Sequence, residues 1–177
     1  MTNYRRAKTP GGTYFFTVNL SERQRATLIE HIDLLKRSLR EEKKLNPFRI
    51  NALVILPDHL HAVLTLPDGD ADYSGRWRRV KAAFSAALPP TERRSTSRRT
   101  KGERGIWQRR FWEHLIRDEG DYARHLDYVH FNPVKHGHVT RVQDWPHSTF
   151  HRFVREGKYP LDWAGGDQTD FAVGERE

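Results

Sequence analysis

The chain has 177 residues, with 31 lysines and arginines against 23 aspartates and glutamates, which gives a formal net charge of +8. This length suits one domain with a proper core, and the positive charge favours a polyanionic partner such as nucleic acid. There is no cysteine, so disulfides, thiolate metal sites and cysteine nucleophiles are excluded. The sequence shows no signal peptide and no apolar run of membrane-spanning length, which predicts a cytoplasmic, nucleoid-associated protein.

The first elements predicted along the chain are a strand, a helix and a second strand. Residues 13–20 are aromatic and β-branched, as is typical of a strand. Ser21 and Gln24 have the spacing of a capping box, which predicts that a helix begins there and ends before Pro47. The apolar stripe of this helix consists of Leu28, Ile32, Leu35 and Leu39. Residues 48–56 are nearly all apolar, which indicates a central strand buried on both faces.

A hairpin and another helix follow. The turn at Pro57–Asp58 leads directly into a strand at residues 59–66, and so short a connection predicts antiparallel pairing. Residues 72–88 then predict a helix that Pro89–Pro90 ends. The apolar stripe of this helix consists of Trp77, Val80, Phe84 and Leu88.

Residues 89–106 separate these elements from the last part of the domain. They carry six basic and two acidic residues without apolar periodicity, which predicts a solvated loop that orders on phosphates. Residues 107–116 predict a fourth strand. Asp118 is positioned to cap a final helix over about residues 119–132, which Pro133 ends. We predict one domain over residues 1–164 and a polar, disordered tail over residues 165–177.

The order of these elements predicts the fold class. A β-α-β-β-α-β arrangement with an extra helix fits an α+β fold, a ferredoxin-like (RRM-like) antiparallel sheet with its helices on one face. The extra C-terminal helix carries the candidate catalytic residue described below. In this arrangement the second face of the sheet is expected to stay open, and an open sheet face is where nucleic acid can bind.

Two histidines on the predicted third strand are candidate metal ligands. Because side chains alternate along a strand, His59 and His61 point to one face, whereas Leu60 and Ala62 point to the other. The apolar face is expected to be covered by helices, so the histidines lie on the less buried one. The His-x-His pattern alone is weak, because His136 and His138 repeat it and are given no role.

A tyrosine on the predicted final helix is the candidate nucleophile. Tyr122, Leu126 and Val129 define its core stripe, and Tyr128 and Asn132 lie about 200° and 240° from Leu126. Tyr128 and Asn132 are neighbours at i and i+4, away from that stripe. An aromatic side chain there indicates either a functional tyrosine or one that packs against the tail or the edge of the sheet.

These residues together suit attack on a phosphodiester. A tyrosine hydroxyl has a pKa of about 10 and is a weak nucleophile, so the phosphate needs charge stabilisation. One divalent ion held by His59 and His61 could supply it, with Asn132 as a neutral oxygen ligand. Ligand softness alone would allow zinc or manganese.

The sequence also carries motifs typical of one family. The segments are NYRRAKTPGGTYFFTV, LPDHLHAVL, RWRRVKAAFSAALP, WQRRFWEHLIRDEGDY, YVHFNPVKHG and DWPHSTFHRFV with GKYPLDW, which together span about residues 3–163. They resemble the REP-associated tyrosine transposases, a branch of the single-tyrosine transposases with an HUH (His-hydrophobic-His) motif. The combination is specific, whereas the HUH triplet by itself is not.

The resemblance implies a ferredoxin-like core, a His59 and His61 metal pair, Tyr128 as nucleophile and Asn132 as a polar third ligand. It further implies Mg²⁺ or Mn²⁺ as cofactor and cleavage through a 5′-phosphotyrosine link with a free 3′-OH. The implied substrates are single-stranded hairpins of repetitive extragenic palindromes (REP elements), with a short flanking sequence read by the N-terminal segment. A monomer or a homodimer is expected.

We expect DNA binding to involve the basic side chains outside the metal site. These are Arg5, Arg6, Arg76, Arg78, Arg79, Lys81, Arg93, Arg94, Arg98, Arg99, Arg109 and Arg110. Two alternatives remain at this stage. The first is a non-catalytic nucleic-acid-binding module whose open sheet face stacks bases on Phe15, Trp107 and Trp112. The second is a small metal-dependent hydrolase of other substrates, which would leave the charge of +8 unexplained.

Overall fold

The computed structural model describes residues 7–90 and 96–165. They form a four-stranded antiparallel sheet in the order β2-β3-β1-β4 with helices packed against it, which confirms the α+β class and the β-α-β-β-α-β order. The strands are β1 (Thr13–Asn19), β2 (Arg49–Ile55), β3 (His59–Thr65) and β4 (Trp112–Leu115). The helices are α1 (Thr27–Glu30), α2 (Ile32–Leu45), α3 (Tyr73–Ala87), α4 (Thr96–Thr100), α5 (Glu119–Lys135) and α6 (Phe150–Arg155), with a 3-10 turn at Val142–Asp144.

One face of the sheet is mostly apolar and lies under α2 and α3. Alternation along β1 and β3 places Tyr14, Phe16, Leu60 and Ala62 on this face, where all four are fully buried. They pack against side chains of the two helices, including Trp77 of α3. The predicted hairpin of β2 and β3 and this helix-covered face are both confirmed.

The second face of the sheet is covered too, which contradicts the prediction of an open face. Helix α5 and α6 pack on it, and Phe15 and Val63 of the sheet share an apolar cluster with Val129 and Phe153. Because α5 carries an apolar side of its own, docking it on the sheet buries both surfaces at once. Phe15 is 1% exposed, so it offers no face to a stacking base.

Several element boundaries differ from the prediction. No side chain caps α1, which begins at Thr27, so the capping box of Ser21 and Gln24 is wrong. Instead, Ser21 Oγ accepts a hydrogen bond from Arg98 at 2.9 Å. Strand β4 has only four residues, and Trp107 joins the sheet through a single bridge to Leu20.

Helix α5 is longer than predicted because Pro133 lies inside it. Asp118 caps its N-terminus as predicted, since Asp118 Oδ1 accepts a hydrogen bond from the Asp121 amide at 2.7 Å. Proline removes one donor, but in the last turn the His136 amide still bonds to the Asn132 carbonyl at 3.0 Å. The helix therefore continues to Lys135, with His136 as its C-cap residue, and both residues belong to the candidate site described below.

The described part of the basic segment is ordered and hydrogen-bonded to the domain, although most of residues 96–102 are exposed. Residues 96–100 form α4, and Arg104 donates hydrogen bonds to the carbonyl oxygens of Ser85, Leu88 and Pro89, where α3 ends. The prediction of a loop is therefore wrong for residues 96–100, whereas residues 101–106 form no helix or strand. Arg5, Arg6, Arg93, Arg94 and the tail residues 166–177 lie outside the described residues. Within residues 7–90 and 96–165, no helix combines the length and apolarity needed to cross a bilayer.

Candidate active site

His59 and His61 lie on β3 beneath α5, not on an exposed surface. Their pairing partners on β1 are Asn19 and Thr17. The two histidines are 2% and 0% exposed, because α5 covers the sheet face to which the strand alternation directs them. Their shared face was predicted correctly, and their burial was not. A metal site here would have ligands rigidly held within the core.

The Nδ1 atom of each imidazole lies within hydrogen-bonding distance of a polar side chain. His59 Nδ1 lies 2.7 Å from Asp58 Oδ1, and His61 Nδ1 lies 2.9 Å from Thr17 Oγ1. Burial alone would raise the pKa of Asp58, but hydrogen bonds from His59 and Arg23 outweigh it and hold that pKa well below its usual value. The ionised carboxylate keeps the His59 proton on Nδ1. Nε2 of His59 is then a buried acceptor with no hydrogen-bond partner among the described residues, as expected of a metal ligand.

His136 completes this cluster, although the sequence analysis gave it no role. The ligand atoms of His59, His61 and His136 all lie within 4.8 Å of one another. The ring centroids of His59 and His61 are 4.9 Å apart at 82°, and those of His59 and His136 are 5.1 Å apart at 76°. His136 was missed because the helix was predicted to end at Pro133. Its spacing of four residues from Asn132 and eight from Tyr128 is the signal that could have identified it.

Asn132 lies one turn before His136 and is fully buried. Neither its Oδ1 nor its Nδ2 atom has a hydrogen-bond partner among the described residues. A buried amide without partners is costly, about 1–3 kcal/mol per polar group, so such a residue calls for a ligand or an ordered water. This observation is compatible with the predicted ligand role, which stays a prediction.

Tyr128 packs beside the histidines, with its ring centroid 5.2 Å from that of His61 and 5.7 Å from that of Phe15. The prediction placed Tyr128 off the core stripe of the helix, but it is 1% exposed and shares an apolar cluster with Leu126 and Val129. Helix α5 is buried on two sides: Tyr128 faces the sheet, and His130 contacts Phe153 of α6 at 4.7 Å between centroids. A single core stripe does not describe a helix held between two surfaces.

The ammonium group of Lys135 lies beside the hydroxyl group of Tyr128. Lys135 Nζ lies 3.3 Å from Tyr128 Oη and 4.7 Å from the centroid of the tyrosine ring. The two residues are seven apart on α5, so they lie two turns apart on the same side. Lys135 was absent from the predicted site for the same reason as His136, namely that it follows Pro133.

A second histidine cluster lies at the other end of α5. His114 Nε2 of β4 is 2.8 Å from Asp121 Oδ2, and His125 Nδ1 is 2.7 Å from the Asp121 carbonyl oxygen. Burial would raise the pKa of Asp121, but hydrogen bonds from His114 and the Arg117 amide outweigh it and lower that pKa. Burial lowers the pKa of His125. The ligand atoms of this cluster also fall within 4.8 Å of one another.

Of the predicted DNA-binding residues that the structure describes, one is buried and most have partners within the domain. Arg76 is 3% exposed and bonds both carboxylate oxygens of Asp70 as well as the Asn46 and Pro47 carbonyls, so it is not part of an exposed basic surface. Most of the others have partners within the domain: Arg79 with Glu42, Lys81 with the Gln108 carbonyl, Arg98 with Ser21 and Gly105, and Arg109 with Glu103. Arg78, Arg99 and Arg110 are exposed.

Comparisons with known proteins identify the family. No family model matches the chain. A REP-associated tyrosine transposase of Escherichia coli strain K12 is 49% identical over 176 residues, which are 99% of this chain and 98% of that protein. A Haemophilus influenzae protein described with the same family name is 48% identical over 166 residues, covering 93% of this chain and 94% of that protein. The chain belongs to the REP-associated tyrosine transposases.

The structural comparison agrees with this membership. The solved structure of a REP-associated tyrosine transposase bound to a REP hairpin matches this family member with a TM-score of 0.84 and 48% identity. The match covers 100% of this chain and 99% of the other. Tyrosine transposases are DNA-cleaving and joining enzymes, so the resemblance drawn from the motifs and the prediction of an enzyme are confirmed.

Proposed function

We propose that this family member is a metal-dependent single-stranded DNA endonuclease and strand transferase that acts on REP-type hairpins. Tyr128 is the proposed nucleophile, and His59, His61, His136 and Asn132 are the proposed metal ligands. The single observation that carries the proposal is the placement of the Tyr128 ring against a cluster of three convergent imidazoles. A tyrosine needs such a neighbourhood to attack a phosphodiester, and a packing role does not.

The donor set fits a divalent cation. His59 presents a buried Nε2 acceptor, and Asn132 presents an amide oxygen without a hydrogen-bond partner among the described residues. All four proposed ligands are neutral, so a bound Mg²⁺ or Mn²⁺ would keep its charge available to polarise the scissile phosphate. Of these two ions, imidazole donors favour Mn²⁺.

In the proposed reaction Tyr128 loses its hydroxyl proton and Oη forms a bond to the scissile phosphorus. The bond from phosphorus to the 3′-oxygen breaks, and that oxygen takes up a proton, which leaves a 5′-phosphotyrosine and a free 3′-OH. Attack of a 3′-OH on the phosphotyrosine reverses the step and rejoins a strand. Lys135, 3.3 Å from Oη, would stabilise the negative charge that develops on the phenol oxygen.

The proposed partner is hairpin DNA, and two observations support it. The matched solved structure is of a relative bound to a REP hairpin. This chain has a net charge of +8, and Arg78, Arg99 and Arg110 are exposed. Phosphate contacts by such residues supply most of the affinity of DNA-binding proteins. Arg5, Arg6, Arg93 and Arg94 stay predicted contacts, and the state of assembly stays predicted as monomer or homodimer.

The decisive experiment replaces Tyr128 with phenylalanine, which removes the nucleophile and keeps the ring. Labelled REP hairpin DNA and Mn²⁺ are incubated with each protein, and covalent adduct is resolved on a denaturing gel. Wild type should form the adduct, whereas Tyr128→Phe should bind the hairpin with similar affinity and form none. Tyr122→Phe on the same helix is the matched control and should react normally. No adduct from wild type, with hairpin binding retained, would indicate a binding module instead of an enzyme.

A further inference from the structure

Two threonines of β1 face the same side of the sheet as the histidines of β3. Antiparallel pairing places Thr17 directly opposite His61, and Thr17 Oγ1 lies 2.9 Å from His61 Nδ1. Near the other end of β1, Thr13 is directly opposite Thr65, and their Oγ1 atoms lie 2.7 Å apart. Alternation along a strand turns these side chains to one face. One threonine therefore contacts a proposed metal ligand, and the other contacts only a second hydroxyl across the strands.

The contact between Thr17 and His61 is enclosed by the core. Thr17 is 6% exposed and His61 is 0% exposed. Bulk water therefore does not replace the hydrogen bond if the hydroxyl group of Thr17 is removed, and a buried polar group that loses its partner bears the full cost of desolvation. The orientation of the His61 ring is for this reason sensitive to the residue at position 17.

The aromatic neighbours of His61 fix the plane of its ring but not the positions of its nitrogens. Phe15 lies against the ring, with centroids 5.5 Å apart and planes at 17°, and Tyr128 meets it at 5.2 Å and 72°. A half-turn about the Cβ–Cγ bond keeps this plane and exchanges each nitrogen with a carbon. Apolar contacts respond weakly to that exchange, whereas a hydrogen bond to Thr17 requires a nitrogen at its position. Thr17 therefore determines which edge of the ring faces the cluster.

The same hydrogen bond bears on which nitrogen of His61 carries the proton. A neutral imidazole has one N–H donor and one acceptor, and only the acceptor can bind a metal. Because Nδ1 of His61 faces Thr17, binding through Nε2 requires the proton on Nδ1 and the Thr17 hydroxyl as its acceptor. At His59 the ionised carboxylate of Asp58 enforces this tautomer, since a carboxylate can only accept. A hydroxyl can donate or accept, so the restraint on His61 is the weaker one.

We propose that Thr17 is a positioning residue of the metal site. Its hydroxyl group accepts a hydrogen bond from Nδ1 of His61 and so keeps Nε2 unprotonated and directed at the cluster with His59 and His136. Thr17 acts through His61 and touches neither metal nor DNA in this role. Partners of this kind typically change metal affinity by about 10–100-fold. The assignment rests on the proposed function, because it takes His61 as a metal ligand.

Thr17→Val tests the assignment, because it replaces the hydroxyl with a methyl group and keeps the branched shape that suits a strand. Calorimetry should show Mn²⁺ binding that is about 10–100-fold weaker than in wild type. Thr17→Ser keeps the hydroxyl and should bind Mn²⁺ like wild type. Thr13→Val is the matched control, since it makes the identical change on the same face of β1 about 13 Å from Thr17, and it should also bind like wild type.

Three calorimetric results would overturn the proposal. They are equal Mn²⁺ affinity in Thr17→Val and wild type, an equal loss of affinity in Thr13→Val, and a failure of Thr17→Ser to bind better than Thr17→Val. The second of these would show that any lost hydroxyl on β1 weakens the site through the strand as a whole.

Nitrogen NMR of the metal-free protein at neutral pH gives a readout that a merely structural role of Thr17 would not change. The nitrogen shifts of His61 report which nitrogen carries the proton. In wild type and Thr17→Ser the proton should lie on Nδ1. In Thr17→Val it should move towards Nε2, because a methyl group cannot accept a hydrogen bond. A proton on Nε2 of His61 in wild type would overturn the proposal, and this result does not depend on the folding of any variant.

These measurements use no DNA, so they separate the role of Thr17 from the proposed cleavage. If wild type forms no DNA adduct but Thr17→Val lowers Mn²⁺ affinity, the role of Thr17 stands and the nuclease assignment fails. If wild type forms adduct and Thr17→Val binds Mn²⁺ normally, the nuclease assignment stands and the role of Thr17 fails. With hairpin DNA, Thr17→Val should need about 10–100-fold more Mn²⁺ for half-maximal adduct formation and reach the wild-type rate at saturation.

Discussion

The two histidine clusters at opposite ends of α5 contain similar residues and differ in geometry. His59, His61 and His136 meet edge to face, with interplanar angles of 82° and 76° for the two pairs that involve His59. His114 and His125 are instead stacked, with centroids 4.7 Å apart and planes at 14°. An imidazole lone pair lies in the plane of its ring, so two stacked rings cannot direct their nitrogens at one ion. Composition and proximity alone would treat the clusters as equal, whereas ring orientation distinguishes the proposed metal site from a structural contact.

The carboxylates of the two clusters also act differently. Asp58 lies behind His59 and orients it, which leaves Nε2 directed away from the carboxylate. Asp121 lies between β4 and α5, where it accepts hydrogen bonds from His114 Nε2 at 2.8 Å and the Arg117 amide at 3.0 Å. The Asp121 cluster therefore joins a short edge strand to the helix that carries Tyr128. We infer that the first cluster serves chemistry and the second holds α5 in place.

The largest expected effect is loss of the metal from the first cluster alone. His61→Ala should abolish metal binding in calorimetry and reduce adduct formation to background, because it removes one of three convergent imidazoles. His114→Gln should bind one metal ion per chain with unchanged affinity. Loss of metal binding in His114→Gln would show that ring stacking does not distinguish the clusters.

A smaller effect is expected from the cation beside the nucleophile. Lys135→Met removes the charge 3.3 Å from Tyr128 Oη and should slow adduct formation by about 100-fold, with hairpin affinity and metal affinity nearly unchanged. Lys135→Arg should restore part of the rate, since it restores the charge. Single-turnover kinetics at saturating DNA measure the rate. An unaltered rate in Lys135→Met would leave the lysine a packing role over the tyrosine ring.

The second cluster should respond in stability rather than in chemistry. Asp121→Asn removes the negative charge and one of the two acceptor oxygens from the cluster of His114, His125 and the Arg117 amide, which should cost about 1–3 kcal/mol of unfolding free energy in urea titration. Metal affinity should not change. A variant of normal stability that loses metal binding would reverse the roles assigned to the two clusters.

The smallest effect concerns His130, on the side of α5 that faces α6. Burial lowers the pKa of His130 from 6.5 to about 3, so protonation favours the unfolded chain. Its stabilising contribution is complete above the unfolded pKa and is lost as the pH falls from there towards the folded value. Between pH 7 and pH 6 the unfolding free energy should fall by about 0.7 kcal/mol from this residue. His130→Gln should flatten that slope in urea titrations at the two pH values.

Local sequence patterns predicted the strands well, because side chains along a strand alternate between the two faces of the sheet. The alternation of β3 correctly grouped His59 with His61, apart from Leu60 and Ala62. The combination of motifs along the chain identified the family, which the comparisons confirm. The end of α5 was less predictable, because a proline usually ends a helix, whereas Pro133 lies within the last turn of α5. His136 and Lys135 were missed as a consequence.

By itself the sequence determined the order of the elements, the family and the residues of the His59 and His61 pair, since these depend on periodicity and on motifs along the chain. Only the tertiary structure decided that α5 closes the second face of the sheet, that His136 lies with His59 and His61, and that Arg76 is buried against Asp70. These features depend on which distant surfaces pack together. A helix that is apolar on one side has more than one surface on which it can be buried, and the local pattern is the same for each.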